Sequence, residues 1–488
     1  MRGTFGEQRM LIDGALVDAS TGAVFETANP ATEEVLGVVA DASAADAERA
    51  LHAARRAFDE STWSTDVALR VRCLRQLQGA MRSHGEELRA MTIAETGSPL
   101  FMTRSAQLDD PVEALGWVAD LAESYEWMTD LGRAEPLGMP AQRWLCREPA
   151  GVVAAITPWN VPHQINLAKL GPALAAGNTV ILKPAPDTPW CATVVGRLIA
   201  EETDIPAGVV NILPSSAPAF GALLVDDDRV DQVSFTGSTV TGRTVMAQAA
   251  GTLKRVFLEL GGKSAFVVLD DAELGSACGV AAFTVCVHAG QGCAITTRLV
   301  VPREQFDDAV DITAAALGNL PAGDPTDPGT ICGPLINARQ RDRVERYIDM
   351  ARHEGGTIVV GGGRPAEQTR GFFIDPTLIV GIGNDSPVAR DEIFGPVLVV
   401  IPHDGDDDAL RIANDSPYGL SGSVWSGDRD RAMAVAGRLR TGTVGVNGGV
   451  WYSPDVPFGG YKQSGIGREM GVAGFEEYLE TKVVAEPA

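Results

Sequence analysis

A thiol and a carboxylate stand in two glycine-containing stretches of this sequence. Cys293 lies in Gly290-Gln-Gly-Cys-Ala-Ile-Thr-Thr-Arg298, and Glu259 lies in Leu258-Glu-Leu-Gly-Gly-Lys263. The thiolate is the reactive form of cysteine, and neighbouring glycines let backbone N–H groups and a substrate carbonyl approach the sulfur closely. A nearby carboxylate can activate water against a group that the sulfur has captured. The pair predicts a thiol nucleophile served by a carboxylate base.

Competing interpretations exist for both residues. Glu259 sits inside an apolar predicted strand, where an ionised group costs free energy, so a functional role is favoured over a solvated carboxylate. Burial would raise its pKa toward the range of a general base. His288, five residues before Cys293, suggests a Cys-His hydrolase, although that spacing has no mechanical meaning by itself. Cys278 and Cys286 are most simply small core residues.

A third stretch could receive a phosphate. Ser234-Phe-Thr-Gly-Ser-Thr-Val-Thr-Gly242 is typical of a strand that enters a Gly-Ser turn at the start of a helix. Free N–H groups at such a start, here those of Gly237 and Ser238, can bind a pyrophosphate. A simple helix cap is the alternative, and the common G-x-G-x-x-G fingerprint is absent from the sequence.

Two polar side chains follow neighbouring predicted strands. Asn160 ends Ile156-Thr-Pro-Trp-Asn160 and can donate an N–H to a developing oxyanion, the alternative being a turn with a packed tryptophan. Lys183 ends the next strand and could face a nucleotide phosphate or ribose, the alternative being a solvated lysine at the sheet edge.

From about residue 151 onward, short β-branched runs alternate with amphipathic segments, which predicts parallel α/β sheets. The predicted strands form a first series, 152–157, 179–183, 209–213, 230–236 and 256–260, and a second series, 265–269, 298–301, 357–360, 397–401, 421–425 and 443–447. The two series predict two α/β units in tandem. A break just after Glu259 would place Glu259 and Cys293 near the cleft between the units.

The remaining segments differ in character. The first 120 residues are predicted to be mostly helical, as in the capping-box start Ser43-Ala-Ala-Asp46. Residues 130–150 suggest an excursion from the main sheet, in the form of a hairpin, and residues 478–484 suggest a strand. Two projecting strands are typical of β-augmentation between subunits.

Composition and charge exclude several classes of partner. The 488 residues are 45% hydrophobic and 21% charged, and the length predicts two or three globular domains. With 40 basic and 64 acidic side chains, the formal net charge of −24 disfavours nucleic acid and anionic membrane surfaces. Seven cysteines without a C-x-x-C pair favour a reducing, cytoplasmic compartment. We identify no metal-binding motif and no secretory signal, and the uncharged stretch 274–297 predicts a buried helix and loop rather than a membrane span.

The sequence resembles the aldehyde dehydrogenase superfamily over essentially its whole length. One matching motif can arise by chance, but seven in the family's order and approximate spacing cannot. They are Pro158-Trp-Asn160, Lys183-Pro184, Phe235-Thr-Gly-Ser238, Leu258-Glu-Leu-Gly-Gly262, Gly290-Gln-Gly-Cys293, Glu392-Ile-Phe-Gly-Pro396 and Pro457-Phe-Gly-Gly460.

The resemblance implies an α/β fold in three parts. A variant Rossmann nucleotide-binding domain would comprise residues 1–130 and 150–260, and an α/β catalytic domain residues 261–465. A small β oligomerisation element would comprise residues 131–149 and 466–488. A homodimer or homotetramer is expected.

The resemblance also implies NAD(P)-dependent oxidation of an aldehyde to a carboxylic acid. Cys293 would add to the aldehyde, Asn160 and the Cys293 N–H would hold the oxyanion of the thiohemiacetal, and hydride would pass to the nicotinamide. Water activated by Glu259 would then hydrolyse the thioester. Lys169 and Glu469 match positions that form a proton path in some members. The implied cofactor contacts are Ile156, Thr157, Pro158, Trp159, Lys183, Gly237, Ser238, Leu260, Glu392 and Phe394.

Two departures from the family pattern bear on specificity. Pro186 stands where many NAD-preferring members have a glutamate that binds the ribose hydroxyls, so NAD is expected and NADP stays open, with Asp187 adjacent. Ala168 stands where some acetaldehyde-type members have a bulky aromatic residue. A wider tunnel for a bulky aliphatic or aromatic aldehyde is predicted.

Three alternatives compete with this function. A CoA-acylating relative would typically lack the base, so Glu259 argues against it. A non-catalytic structural member is disfavoured by the presence of Cys293, Glu259 and Asn160 together. A cofactor-free cysteine hydrolase would require that no NAD(P)-dependent turnover occur.

Overall fold

In the computed structural model, which describes residues 6–488, the chain starts with four short strands rather than with a helix. Ser43 and Asp46 form the predicted capping box, because each side chain accepts a hydrogen bond from the other's backbone N–H. These strands escape sequence analysis because β1 and β2 have only three residues each, and because β3 and β4 mix β-branched residues with alanine, glutamate or glycine. This region contains β1 Met10–Ile12, β2 Ala15–Val17, β3 Val24–Ala28, β4 Val35–Ala40, α1 Ala44–Glu60, α2 Val67–Ser83, α3 Gly85–Thr96, α4 Leu100–Thr103, α5 Asp109–Ser124, β5 Met128–Ala134 and β6 Ala141–Pro149.

The first large sheet is built from the first predicted series of strands. Its elements are β7 Val152–Ile156, α6 Pro162–Ala176, β8 Thr179–Lys183, α7 Trp190–Glu202, β9 Val210–Ile212, α8 Phe220–Asp226, β10 Gln232–Thr236, α9 Thr239–Ala249 and β11 Arg255–Glu259. Strands β7, β8 and β10 are buried along nearly their whole length, as expected for parallel strands covered on both faces.

The strand order of this sheet is that of a dinucleotide-binding fold. Strands β9, β8, β7, β10 and β11 pair in parallel in that order. The chain adds β8 and β9 on one side of β7 and then returns to add β10 and β11 on the other side, so the strand order reverses between β7 and β10. Ligands of open α/β sheets bind outside the carboxyl ends of the strands at such a reversal. Strands β1 and β2 extend the sheet beyond β9. The α/β class with a Rossmann-like sheet is thereby confirmed.

The second large sheet has the order β14-β15-β16-β13-β12-β17-β18, and only the β14–β15 pair is antiparallel. All six predicted strands of the second series are confirmed, whereas β15, with four residues, is an additional strand. The elements are β12 Ser264–Val268, α10 Leu274–Cys286, β13 Thr296–Pro302, α11 Phe306–Gly318, α12 Ala338–His353, β14 Thr357–Val360, β15 Thr377–Val380, α13 Pro387–Arg390, β16 Val397–His403, α14 Asp406–Asn414, β17 Gly422–Trp425, α15 Arg429–Ala436 and β18 Gly445–Val446.

The stretch 274–297 is a helix followed by a loop, as predicted, and Cys278 and Cys286 are core residues of that helix. None of the helices within residues 6–488 has the length and apolar character needed to cross a membrane.

The C-terminal part of the chain contributes strands to two sheets. It contains β19 Gly465–Ile466, α16 Gly471–Glu476 and β20 Leu479–Pro487. Strand β19 pairs with β11 in the first sheet. Strand β20 pairs antiparallel with β6 along its whole length, and β6 pairs with β5, so the predicted hairpin and tail strand form one three-stranded sheet.

A buried amide connects the start of β20 to the first sheet. Asn178 precedes β8 and is fully buried. Its Nδ2 donates to the carbonyls of Ala173 (3.1 Å) and Tyr478 (3.0 Å), and its Oδ1 accepts from the N–H of Gly151 (2.8 Å). Every polar group of the amide is therefore satisfied, as a buried polar side chain requires.

Replacing this amide should destabilise the fold. In Asn178→Ala, the Gly151 N–H loses its partner, which costs about 1–3 kcal/mol for a buried group, while the carbonyls of Ala173 and Tyr478 keep the backbone N–H donors of Asn178 and Ala150. We expect the thermal unfolding midpoint, measured at fixed protein concentration, to fall by about 1–3 °C. Asn319→Ala is the control, because Asn319 donates a similar bond to the Ala315 carbonyl on the surface. Equal shifts in the two variants would contradict the connecting role of Asn178.

Candidate active site

The carboxyl edge of the first sheet and the amino edge of the second sheet border one cleft of about 520 Å³. This volume is ordinary for a small-molecule site. The cleft brings together most of the residues that the sequence singles out, namely Pro158, Trp159, Asn160, Gly237, Ser238, Glu259, Leu260, Cys293, Glu392 and Phe394.

A left-handed turn delivers Cys293 to the cleft. Helix α10 ends at Cys286, and His288, Ala289 and Gly290 then adopt φ values of +48°, +52° and +70°. A side chain at Gly290 would place its Cβ 2.2 Å from a carbonyl oxygen of the facing segment, so only glycine fits there. Cys293 follows this turn, before β13, and is partly exposed to the cleft.

The carboxyl of Glu259 lies at the end of β11 and is only 2% exposed. Burial raises its pKa well above the ordinary value, the charge of Glu469 adds to the effect, and a hydrogen bond with the Cys293 side chain opposes it. Burial and the nearby charges of Glu259 and Glu392 likewise raise the pKa of the Cys293 thiol. The site therefore favours the protonated form of both groups, and the alternative of a solvated Glu259 is wrong.

The side chain of Asn160 is anchored while it lines the cleft. Its Nδ2 donates to the backbone carbonyl of Gln291 (2.9 Å), two residues before Cys293. Its own backbone carbonyl accepts from Nε2 of Gln107 (2.8 Å). The remaining N–H of the amide is available to a group bound beside the thiol.

The predicted phosphate stretch is both a helix cap and part of the cleft wall. Ser238 is the N-cap of α9, and its Oγ accepts from the N–H of Thr241 (3.2 Å). Gly237 and Ser238 line the cleft. The amino end of α9 therefore turns its partial positive charge toward the cleft.

Helix α12 contributes a basic wall that sequence reasoning missed. Arg339, Arg343 and Arg346 all line the cleft, and their spacing of four and three residues puts them on one helical face. That spacing is a signal that could have found them. Gln340 donates from Nε2 to the carbonyls of Ile393 (3.0 Å) and Phe394 (2.7 Å), so α12 also fixes the segment that carries Glu392.

Glu392 faces the end of the first sheet. Its Oε1 accepts from the N–H of Gly262 (2.9 Å), and a Cβ on Gly261 would lie 2.5 Å from its Oε2. Burial raises the pKa of Glu392 to about 7, although this N–H and the charges of Arg343 and Lys263 pull it down.

Three residues with an expected cofactor contact lie beside the cleft rather than in its lining. Ile156 ends β7, and Thr157 donates from Oγ1 to Oδ1 of Asn166 (2.7 Å). Lys183 is buried, and its Nζ donates to the carbonyl of Pro184 (3.0 Å). Burial lowers the pKa of Lys183 to about 8. The alternative of a solvated edge lysine is therefore wrong.

Lys169 and Glu469 form a buried ion pair. The Nζ of Lys169 lies 3.0 Å from Oε1 of Glu469 and 3.1 Å from Oγ of Ser234. The pair influences Glu259 in opposite directions, because the Glu469 charge raises the pKa of Glu259 and the Lys169 charge lowers it.

His288 does not pair with the thiol. Its ring is buried beside the backbone of Asn160, and burial lowers its pKa to about 4. It lies outside the cleft lining, so the Cys-His interpretation loses its geometric basis.

A separate, mostly apolar cavity lies one turn farther along α6. Ile165 lines the cleft and Ala168 lines this cavity, and residues three apart share a helical face. The cavity measures about 30 Å³. Besides Ala168 it is lined by Pro111, Ala114, Leu115, Trp117, Val118, Gln164, Leu167, Pro172, Tyr452, Pro454, Met470, Gly471 and Phe475.

Comparison with known proteins gives consistent matches. The family model described as the aldehyde dehydrogenase family matches residues 16–484. The chain is similar to the geranial dehydrogenase of Castellaniella defragrans (39% identity, 99% of both chains) and to a 3-succinoylsemialdehyde-pyridine dehydrogenase of a Pseudomonas species (40% identity, 97% of both chains). Betaine aldehyde dehydrogenase from Staphylococcus aureus, solved in complex with NAD+, matches with a TM-score of 0.95 at 35% identity, covering 98% of this chain and 94% of that chain.

The raised pKa of Glu392 predicts a pH-dependent contribution to stability. The folded protein holds this proton up to about pH 7, whereas the unfolded chain releases it near the ordinary value of 4.5. Its contribution is therefore fully present below pH 4.5 and is lost as the pH rises through about 7. Glu392→Gln removes this titration. The thermal midpoint of the variant should therefore rise relative to that of the wild type between pH 5 and 8.

The exposed Glu48 provides a control of opposite sign. A hydrogen bond from Arg229 lowers the pKa of Glu48, so its contribution is present above 4.5 and is lost as the pH falls. The thermal midpoint of Glu48→Gln should therefore fall relative to that of the wild type as the pH rises. A midpoint difference between Glu392→Gln and wild type that stays constant with pH would show that Glu392 titrates normally.

Proposed function

This chain belongs to the aldehyde dehydrogenase family and oxidises aldehydes to carboxylic acids with NAD(P), and we propose that Cys293, Glu259 and Asn160 carry out the reaction. The observation that supports this assignment is their convergence in one cleft at the carboxyl edge of the dinucleotide-binding sheet. A thiol, a buried carboxyl and an anchored amide are the three groups that acyl transfer through sulfur requires.

The first half of the proposed reaction forms a covalent adduct. The sulfur of Cys293 bonds to the aldehyde carbon, and the thiol proton passes to Glu259, whose raised pKa makes its carboxylate form a stronger base. The carbonyl oxygen becomes an oxyanion that accepts hydrogen bonds from the Asn160 amide and the Cys293 N–H. When bound, the nicotinamide supplies the acceptor for the hydride that leaves this carbon.

The second half releases the acid. Loss of hydride leaves a thioester on Cys293, and Glu259 takes a proton from water as the water oxygen bonds to the thioester carbon. The carbon–sulfur bond then breaks, and the sulfur regains a proton. We propose that Lys169 and Glu469 relay protons from Glu259, since their buried ion pair already acts on its pKa.

The cleft fits a dinucleotide. The amino end of α9 and the arginines of α12 offer positive charge to a pyrophosphate. Glu392 offers a carboxylate to ribose hydroxyls, and Gly261 leaves room for it. We assign cofactor contacts to Ile156, Thr157, Pro158, Trp159, Lys183, Gly237, Ser238, Leu260, Glu392 and Phe394.

NAD is the proposed preferred cofactor, with NADP as the competitor. Pro186 offers no carboxylate against a 2′-phosphate, and Oδ1 of the adjacent Asp187 accepts a hydrogen bond from Asn337 (2.7 Å). Asp187 is therefore held by the amino end of α12. Betaine aldehyde dehydrogenase from Staphylococcus aureus and an aldehyde dehydrogenase from Bacillus cereus have each been solved in complex with NAD+, which supports the preference for NAD.

The proposed substrate is a bulky aliphatic or aromatic aldehyde. Ala168 presents only a methyl group to the small apolar cavity next to the cleft, and an aromatic side chain at this position would close it. The names of two similar proteins refer to geranial and to a pyridine semialdehyde. Both are larger than acetaldehyde.

We further propose a homodimer or homotetramer that works in the cytoplasm. The three-stranded sheet exposes Met128 and Val483, and the turn between β5 and β6 exposes Leu137 and Met139, which a second copy could cover. All seven cysteines are free, as in a reducing compartment. This sheet, with residues 131–149 and 466–488, is the proposed oligomerisation element, beside a nucleotide-binding domain (1–130, 150–260) and a catalytic domain (261–465). Sedimentation velocity gives the oligomer size.

The function is tested by initial rates of NAD and NADP reduction at 340 nm with short aliphatic, long aliphatic, aromatic and charged aldehydes. We expect turnover with NAD, highest with the bulky apolar aldehydes, and none in Cys293→Ala because the nucleophile is gone. Cys278→Ala removes a buried core thiol instead and should keep the wild-type rate. Turnover that survives in Cys293→Ala would overturn the assignment of the nucleophile.

The substrate class is tested at Ala168. Ala168→Phe fills the apolar cavity, so kcat/KM for benzaldehyde or a branched terpenoid aldehyde should fall at least about tenfold, while acetaldehyde is little affected. Ala434→Phe, on an exposed face of α15, is the control for the added ring. A wild-type enzyme that strongly prefers acetaldehyde would refute the proposed class.

A further inference from the structure

The side chain of Gln291 is fully buried beside the catalytic cleft and satisfies all its hydrogen-bonding groups. Its Oε1 accepts from the N–H of Ile336 (2.9 Å). Its Nε2 donates to the carbonyls of His288 and Pro334, each at 3.1 Å. Only an amide of this length supplies two donors and one acceptor here. Gln291 thus joins the turn before Cys293 to the 334–336 segment of the second unit.

The backbone of the same residue holds the oxyanion donor. The carbonyl of Gln291 accepts from Nδ2 of Asn160 at 2.9 Å. Because the side chain of Gln291 is tied at three points, this carbonyl has a fixed position. The Asn160 amide, which bonds to it, is fixed in turn. Gln107, also fully buried, holds the backbone carbonyl of Asn160 from the other side (2.8 Å).

The turn that Gln291 holds is strained. His288 and Ala289 are non-glycine residues in the left-handed region. A non-glycine residue in that region is strained, and such a conformation persists only when its surroundings enforce it. The bond from Nε2 of Gln291 to the His288 carbonyl is part of that enforcement. Without it the turn can relax and move the carbonyl of Gln291, and with it the Asn160 amide that bonds to that carbonyl.

We infer that Gln291 is a positioning residue that sets the geometry between the Asn160 amide and the Cys293 thiol, through the three hydrogen bonds of its side chain. The inference rests on the proposed function, since it presumes that Asn160 donates to the oxyanion. The positioning role of Gln291 differs from a purely structural role in one respect. Gln291 should act on the rate only through the oxyanion contact.

The test compares Gln291→Met, Asn160→Ala and the double variant. Methionine has the length of glutamine but lacks its donors and acceptor. We measure kcat per titrated Cys293 thiol, KM, and the deuterium isotope effect with an aldehyde labelled at its reacting carbon. Because unfolding would expose six further free cysteines, the circular dichroism spectrum of each variant is used to confirm that it is folded before titration. Gln232→Met is the matched control, because Gln232 is a buried glutamine at the opposite end of β10.

We expect kcat to fall on the order of 10²-fold in Gln291→Met and 10²–10³-fold in Asn160→Ala, with KM changed little. The double variant should be no slower than Asn160→Ala, because both changes remove one contact. The isotope effects of the two single variants should agree. Gln232→Met should keep the kcat and isotope effect of the wild type even where it lowers the thermal midpoint.

Losses that multiply in the double variant, or an unchanged kcat in Gln291→Met, would overturn the inference and leave the proposed function standing. An unchanged kcat in Asn160→Ala would refute the oxyanion role of Asn160 and the inference with it. Should Gln291→Met fail to fold, Gln291→Asn keeps the amide but moves it by one methylene, and the same comparisons apply.

Discussion

Close backbone approach between the two α/β units is the constraint on which the rest of this structure depends. A Cβ on Gly262, in the segment that joins β11 to β12, would lie 2.4 Å from the carbonyl oxygen of Cys293, and one on Gly333 of the second unit would lie 2.4 Å from the carbonyl oxygen of Gly97 of the first. These contacts let the carboxyl edge of one sheet meet the amino edge of the other without intervening side chains. The reacting groups can then come from different sheets and still share one small cleft.

This packing also sets the electrostatics of the cleft. Glu259, Glu392 and Cys293 lie near one another in the cleft, and burial raises the pKa of all three groups. A buried acid with a raised pKa exchanges protons near neutral pH more readily than a solvated one. Lys169 opposes the effect on Glu259 from within the first unit. The site therefore gains proton-transfer chemistry at a cost in folding stability.

Sequence reasoning succeeds where a local signal is strong. The strands of both series, the capping box of α1, the hairpin of residues 130–150 and the helix of residues 274–297 follow from periodicity and capping chemistry. Sequence reasoning fails where the local pattern is weak or where a functional residue lies far from any recognised motif. Strands β1 and β2 have three residues each, which is too short for periodicity, and the arginines of α12 stand more than 40 residues from any recognised motif. Their position in the cleft depends on how α12 packs against the loop of Glu392.

The sequence by itself determined the α/β class, the tandem arrangement and the identity of the chemical groups, because these depend on local patterns and on motifs whose residue types are visible. Tertiary structure alone decided which of those groups meet. It joined Asn160, Glu259 and Cys293 across two sheets, placed the His288 ring outside the cleft, and showed that Gln291 ties the turn to its surroundings. Contacts between residues far apart in sequence arise only when buried surfaces pack, and single-chain patterns do not record that packing.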